Sequence, residues 1–327
     1  MTQYGQFNMF TLGGVIGIVL FLLAVIFSIS GFSGQQPAIA FDGKYSGKQG
    51  QILIVKVPTD EEAVRVQGTF LGRAVLFFPE TRAGETKGFV GLLGIDLQDV
   101  PGTYDLTIQI TQMEHSRSLI YRVEVVKEKF RIEHLKLPKD KVDLDAQGLA
   151  RWKAEQEQVK EALAADSQSK LWEPKFVEPV NGKRTGIFGS VRIMNGQARN
   201  PHNGEDIGAP TGTDVAATND GVVRLTVNHI FSGKGVFLDH GLGFYSMYFH
   251  LSEVLVKEGE AVKAGQIIGK VGATGRATGP HLHWGVKLNG ARVNPYALLD
   301  LPFKAEAKSV IPTPDSDSGS AVGAPAP

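Results

Sequence analysis

The chain has 327 residues, with 34 Lys or Arg against 34 Asp or Glu, and is formally neutral. That balance, with no basic stripe and no nucleic-acid module, argues against DNA or RNA as a partner. The absence of cysteine excludes a disulfide framework, and bulk charge cannot be what attaches the protein to its target.

Taken in chain order, the first element is residues 9–29, an uncharged run made mostly of Ile, Leu, Val and Phe. About 20 apolar residues span a bilayer, whereas a signal-peptide core holds roughly 7 to 15. The length therefore predicts a transmembrane helix within residues 1–30 that is retained as an anchor. Ala38-Ile39-Ala40 has the small-x-small form of a cleavage site but lies far beyond the run. The first eight residues carry no Lys or Arg, so charge bias does not fix the orientation. Residues 45–130 read as a small β-sandwich of immunoglobulin-like type, with alternating strands at 51–57, 64–68, 74–78, 104–110 and 119–126. Val100-Pro101-Gly102-Thr103-Tyr104 resembles the turn before a strand in many bacterial immunoglobulin-like domains. No catalytic cluster falls in this stretch, which predicts a spacer or a regulatory domain set against a groove in the mainly β region that follows.

Residues 140–170 contain the one strong soluble helix pattern. Leu149, Trp152, Val159 and Leu163 recur on one face, with Asp143 or Asp145 as the cap. A stripe of only about two heptads suits a docking helix better than a coiled coil. Residues 174–303 are mainly β: Gly-bounded apolar runs at 221–227, 235–239 and 244–249 predict antiparallel strands. Gly259, Gly265 and Gly269, six and four residues apart, imply short strands and tight turns. Residues 304–327 are mostly Pro, Ser, Ala, Gly and Asp with little to bury, and read as a disordered tail.

The chemistry-bearing residues lie in the mainly β region. In His281-Leu282-His283, strand alternation puts both imidazoles on one face and Leu282 on the other. In His202-Asn203-Gly204-Glu205-Asp206, Gly204, Gly208 and Pro210 argue against a helix, and an extended segment would place His202 and Asp206 on one side. Zinc accepts such a set of two nitrogens and one oxygen and, when catalytic, takes three protein ligands and keeps one position open. His283 serves as the third ligand, which leaves His281 beside the metal and brings His250, at the end of Tyr248-Phe249-His250-Leu251, alongside. His115, His134 and His229 read as satisfied surface or core residues, and His240 as a strand end entering a turn.

His202-x-x-x-Asp206, Tyr248-x-His250-Leu251 and Gly279-Pro280-His281-Leu282-His283 together resemble the lysostaphin/LytM-type zinc metallo-endopeptidases. The Val256 to Gly269 run between them, Phe188-Gly189-x-x-Arg192 with Asn195-Gly196 upstream, and Gly290-x-x-Val293-Asn294-Pro295 downstream match as well. The resemblance covers about residues 174–300. It implies an antiparallel β peptidase domain in which His202, Asp206 and His283 hold Zn2+ while His250 and His281 assist catalysis. The implied substrate is the peptide portion of bacterial peptidoglycan, at stem-peptide cross-links.

One carboxylate and two neutral imidazoles give a zinc site of net charge about +1, able to bring bound water from a pKa of about 15.7 towards roughly 7. No His-Glu-x-x-His helix is present to supply a glutamate base. Glu205, between two ligands, would point away from the metal, so His250 and His281 are left to move protons and stabilise the oxyanion. Which does which is open, as is the bond: D-Ala–diaminopimelate and Gly-Gly both fit. Such a substrate places the protein on the cytoplasmic membrane, through its N-terminal segment, facing the periplasm or cell exterior. Protein regulators are compatible with this reading. Two other classes compete. A biotinyl or lipoyl carrier would share the Gly/Val periodicity, but Lys263 and Lys270 do not sit at an apolar-flanked hairpin tip. A non-catalytic LytM-type scaffold or activator of another cell-wall hydrolase would lack zinc.

Overall fold

The structure, a computed structural model, describes residues 39–303 except 60–62, 83–84, 114, 137–143 and 165–166. The expected anchor at residues 1–30 and the expected tail at residues 304–327 lie outside the described residues. Among the described residues, no helix is long and apolar enough to cross a membrane.

Seven strands form the first part: β1 (Ile39–Lys48), β2 (Ile52–Val57), β3 (Arg65–Phe70), β4 (Arg73–Arg82), β5 (Glu85–Gly94), β6 (Gly102–Thr111) and β7 (Ser116–Val126). They run in the order β1-β7-β6-β3-β4-β5-β2, with β1 parallel to β7 and the other neighbours antiparallel. β4 serves two layers, since residues 73–76 pair with β3 and Phe77 onward pairs with β5. The ribbon therefore folds over, and Val55, Phe89 and Leu93 of one layer meet Val66, Leu106, Ile108 and Val123 of the other. At the turn into β6, the Tyr104 hydroxyl donates to the Val100 carbonyl at 2.8 Å, a tie found at the corner of many such sandwiches.

β1 and β5 are strands the sequence pattern does not reveal. β5 is buried without alternation from residue 88 to 94. The reason is that it separates two cores: Phe89 and Leu93 face the sandwich interior, while Leu92 joins Ile52 in the core of the C-terminal domain.

A connecting segment follows, with β8 (Ile132–Leu135) and α1 (Ala146–Ala164). Asp145 caps α1 by accepting the Gly148 N–H at 2.7 Å. Val159, Ala162 and Leu163 pack on Leu225, Val227 and Phe237, as a docking helix should. Leu149 departs from the expected stripe and is 42% exposed. The helix instead buries Glu155, whose carboxylate accepts the Ile230 N–H at 3.0 and 3.1 Å.

The C-terminal domain comprises β9 (Lys183–Gly186), β10 (Val191–Met194), β11 (Gln197–Ala198), β12 (Gly204–Gly208), β13 (Asp214–Ala216), β14 (Gly221–His229), β15 (Gly233–Asp239), β16 (Phe244–Leu251), β17 (Glu253–Val254), β18 (Ala261–Val262), β19 (Ile267–Lys270), β20 (Leu282–Leu288), β21 (Ala291–Val293) and α2 (Tyr296–Leu299). The main sheet is antiparallel in the order β18-β14-β15-β16-β20-β12-β9, with β21 added on β20. A small sheet, β13-β19-β17, holds the Gly-spaced turns. In a third, β11-β10-β8, the connecting segment lends β8 in parallel to β10. Leu238, Tyr248, Leu282, Trp284 and Val286 fill the core beneath the main sheet.

Candidate metal centre

Three neighbouring strands of the main sheet, β16, β20 and β12, bring the site together. Asp206 on β12 lies directly opposite His283 on β20, and Phe249 on β16 lies opposite His283 from the other side. The Phe249 ring stacks on the His283 imidazole, with centroids 5.7 Å apart and planes 9° from parallel. His202 is not in a strand. It is placed by the turn at residues 187–190: its N–H donates to the Ser190 carbonyl at 2.9 Å, and its own carbonyl accepts the Gly189 N–H at 2.7 Å. Loop hydrogen bonds, rather than the strand alternation expected for this pair, therefore bring His202 to Asp206.

His202 Nε2, His283 Nδ1 and Asp206 Oδ1 converge on one point, with separations of 3.0 Å between the nitrogens and 3.0 and 2.8 Å from each to the oxygen. All three residues are buried. The His202 Nδ1–H donates to the Ile187 carbonyl at 3.1 Å, so in the neutral ring Nε2 presents a lone pair. That lone pair faces the Asp206 oxygen, and only the His283 Nδ1 proton is there to serve both. One cation satisfies all three donors at once. Ligands at about 2.0–2.1 Å from a tetrahedral zinc stand about 3.3 Å apart, so the cluster fits the ion after a few tenths of an ångström of widening.

The surroundings keep the Asp206 carboxyl ionised and the His283 ring neutral. Burial pushes the Asp206 carboxyl up, but its contacts with His202 and His283 outweigh it and hold the group far below the usual carboxylate range. Burial lowers His283 to about 4 against the pull of Asp206, so its ring is neutral at pH 7. The outer oxygen of Asp206 accepts from Arg192 Nη2 at 2.6 Å, which orients the carboxylate. Two glycines clear the space. A Cβ at Gly186 would collide with the Asp206 carboxylate, and one at Gly204 would stand 2.6 Å from His283 Nε2 and 2.5 Å from the Trp284 carbonyl.

His250 and His281 lie beside the cluster with ring centroids 4.7 Å apart, and His281 Nε2 is 3.8 Å from Asp206 Oδ1. Each is tied by the same device: His250 Nδ1 donates to the Thr274 carbonyl and His281 Nδ1 to the Gly279 carbonyl, both at 2.8 Å. Both tautomers leave Nε2 bare. Burial, then the charges of His283 and His281, depress His250 to about 3. His250 also holds φ at +64°, a conformation that costs a non-glycine residue energy and clusters at working sites.

Glu205 points to the opposite face, where Arg184 grips it at 2.6 and 3.1 Å, in line with the reading that it is no base. The remaining histidines stay apart. His115 and His134 are exposed, and His229 meets Gln158 at 3.0 Å. His240 is buried, with Nδ1 donating to the Asp220 carbonyl and Nε2 on the Ser246 hydroxyl, each at 2.6 Å. Sequence reasoning gave no role to Arg192, Thr274 or Gly279. Arg192 lies in the Phe188-Gly189-x-x-Arg192 motif, but its bond to Asp206 spans fourteen positions with no periodic signal.

The sequence model of Peptidase family M23 matches residues 200–295. Among curated proteins, the chain is 49% identical over 94 residues to the peptidoglycan DD-endopeptidase ShyA of Vibrio cholerae, covering 29% of this chain and 22% of that protein. It is 43% identical over 97 residues to the DD-carboxypeptidase/endopeptidase Mpg of Neisseria meningitidis, covering 30% of this chain and again 22% of the relative. The chain thus spans about a fifth of the length of these relatives. A crystal structure of a peptidase M23 from Pseudomonas aeruginosa superposes with a TM-score of 0.60 at 31% identity, over 77% of this chain and 94% of that one.

Proposed function

Since the chain belongs to peptidase family M23, we propose that it is a zinc-dependent endopeptidase that hydrolyses peptide cross-links of bacterial peptidoglycan. The observation that carries this reading is the convergence of His202 Nε2, Asp206 Oδ1 and His283 Nδ1 on one point, with two further imidazoles beside it. The names of the relatives, DD-endopeptidases and a DD-carboxypeptidase/endopeptidase, support the substrate class.

In this proposal His202, Asp206 and His283 hold the zinc, which when bound acidifies water and polarises a carbonyl oxygen. The rest of the chemistry belongs to side chains. His250 and His281 each offer a bare Nε2, able to accept the proton of the attacking water and, once protonated, to stabilise the oxyanion or pass the proton to the leaving amine. The carbonyls of Thr274 and Gly279 fix both rings in that tautomer. Arg192 keeps Asp206 aligned.

The sandwich is assigned to the immunoglobulin-like class on its strand order and the Tyr104 corner. Residues 1–30 are assigned the role of membrane anchor, with the catalytic domain on the periplasmic or outer side. Digestion of purified sacculi, with and without a chelator, tests the activity by mass spectrometry of the products. Chelator-sensitive release of monomers from cross-linked dimers is expected. Bound zinc without release would overturn the assignment, and absence of zinc would move the protein to the non-catalytic scaffolds.

A further inference from the structure

Arg276 sits in the Gly-rich loop between Thr274 and Gly279, the two residues whose carbonyls hold His250 and His281. Its backbone N–H donates to the Phe231 carbonyl at 2.8 Å, and its guanidinium lies 4.1 Å above the Phe231 ring. The side chain is thus braced by stacking, which leaves the edge donors of the guanidinium available. Burial and the charges of Arg192 and Arg199 lower Arg276 to about 10, so Arg276 stands in the field of two other guanidinium groups, one of which, Arg192, bonds the Asp206 carboxylate. Arg199 bonds the Gln197 side chain at 2.7 Å. Among the described residues no carboxylate pairs with Arg276. A braced, partly buried cation without a counter-ion, beside a site that binds substrate, calls for an anion on the substrate.

The two cross-links left open by the sequence differ in this respect. In a D-Ala–diaminopimelate bond, the carbon attached to the scissile nitrogen also carries a carboxylate. A Gly-Gly bond has none there. We propose that Arg276 is a substrate-binding residue that holds the carboxylate on the amine side of the scissile bond, making the protein selective for cross-links whose amine is an α-amino acid with a free acid. This rests on the endopeptidase reading above.

The test uses the zinc-loaded full chain and two synthetic D-Ala–diaminopimelate cross-linked peptides, one with that carboxylate free and one with it amidated. Wild type should favour the free acid by at least about tenfold in kcat/KM, mostly through KM, as befits a charge-assisted bidentate bond. Arg276→Gln should bring the free acid down to the level of the amide, and Arg276→Lys should keep part of the preference, with equal zinc content in all three proteins. Equal cleavage of both peptides by wild type, or a preference that survives in Arg276→Gln, would overturn the carboxylate site alone. Cleavage of neither peptide by zinc-loaded wild type would instead overturn the endopeptidase reading, and the site with it.

Discussion

Asp206 divides its oxygens between two duties: Oδ1 faces His202 and His283, while Oδ2 takes Arg192. Gly186 lies directly behind that carboxylate, so a methyl group there has to displace it. Gly186→Ala should therefore weaken zinc binding by about 10–100-fold, the range for disturbing groups that orient a ligand, while far-ultraviolet circular dichroism stays that of the parent. Competition with a chromophoric chelator measures the affinity. The two histidines of His281-Leu282-His283 should separate in the same assay. His283→Ala removes one of three converging donors and should lose both metal and turnover. His281→Ala leaves the trio intact and should keep zinc but lose about 10²–10⁴-fold in turnover, the usual worth of a general acid–base group. A zinc-free His281→Ala protein would reverse these roles. This much of the site is legible in the sequence, because two-residue alternation and short motifs carry it. The groups that orient it are not, because Ile187, Arg192, Thr274 and Gly279 act through turns and backbone carbonyls that no side-chain pattern announces.

Among the elements, α1 and β5 show where sequence patterns succeed and where they mislead. The helix was legible from its apolar spacing, yet its most buried residue is an acid. Glu155 sits against the Ile230 N–H, at the start of the turn joining β14 to β15, and Arg151 Nε binds the same carboxylate at 2.7 Å. Glu155→Ala should cost about 2 kcal/mol, since a half-buried N–H loses its charged acceptor, and Glu155→Gln should restore part of it. Urea unfolding midpoints of the three proteins check this, and an alanine variant as stable as its parent would show that water replaces the carboxylate. β5 fails as a sequence prediction for the opposite reason. A strand buried on both faces has no polar side to alternate with, and its Gly91 and Gly94 lie against Phe77 on one face and Ala291 and Val293 on the other.

At the scale of the whole molecule, pH acts on stability through buried neutral imidazoles. His240 is lowered by burial to about 4 from an ordinary 6.5. The unfolded chain therefore binds the extra proton first as pH drops below 6.5. The stability contributed by keeping His240 neutral is complete above that pH, is lost as pH falls towards 4, and amounts to about 3 kcal/mol at about 1.4 kcal/mol per pH unit. His240→Gln should show a shallower dependence than wild type in denaturant midpoints between pH 7 and pH 4.5, and equal slopes would place the acid sensitivity elsewhere. At the same scale, the sandwich packs against the C-terminal domain. A free spacer would meet the catalytic domain at a small polar surface. Here Ile52 and Leu92 enter the core of the C-terminal domain, and Arg292 grips Asp96 at 2.6 and 2.9 Å while its own N–H donates to that carboxylate at 2.7 Å. Gly50 and Phe130 both lie against Phe188, beside the turn that places His202. Shared core and shared ion pair predict that both parts unfold in one calorimetric transition. Asp96→Ala should lower that transition by about 2 kcal/mol of stability. This falls short of the loss for a fully buried pair, because Arg292 is 31% exposed and retains Gln98 at 2.8 Å. If the sandwich supports the site through this contact, the same variant should also bind zinc more weakly. Two separate transitions in wild type, or an Asp96→Ala protein with parental melting and zinc affinity, would mean that the domains touch without supporting one another.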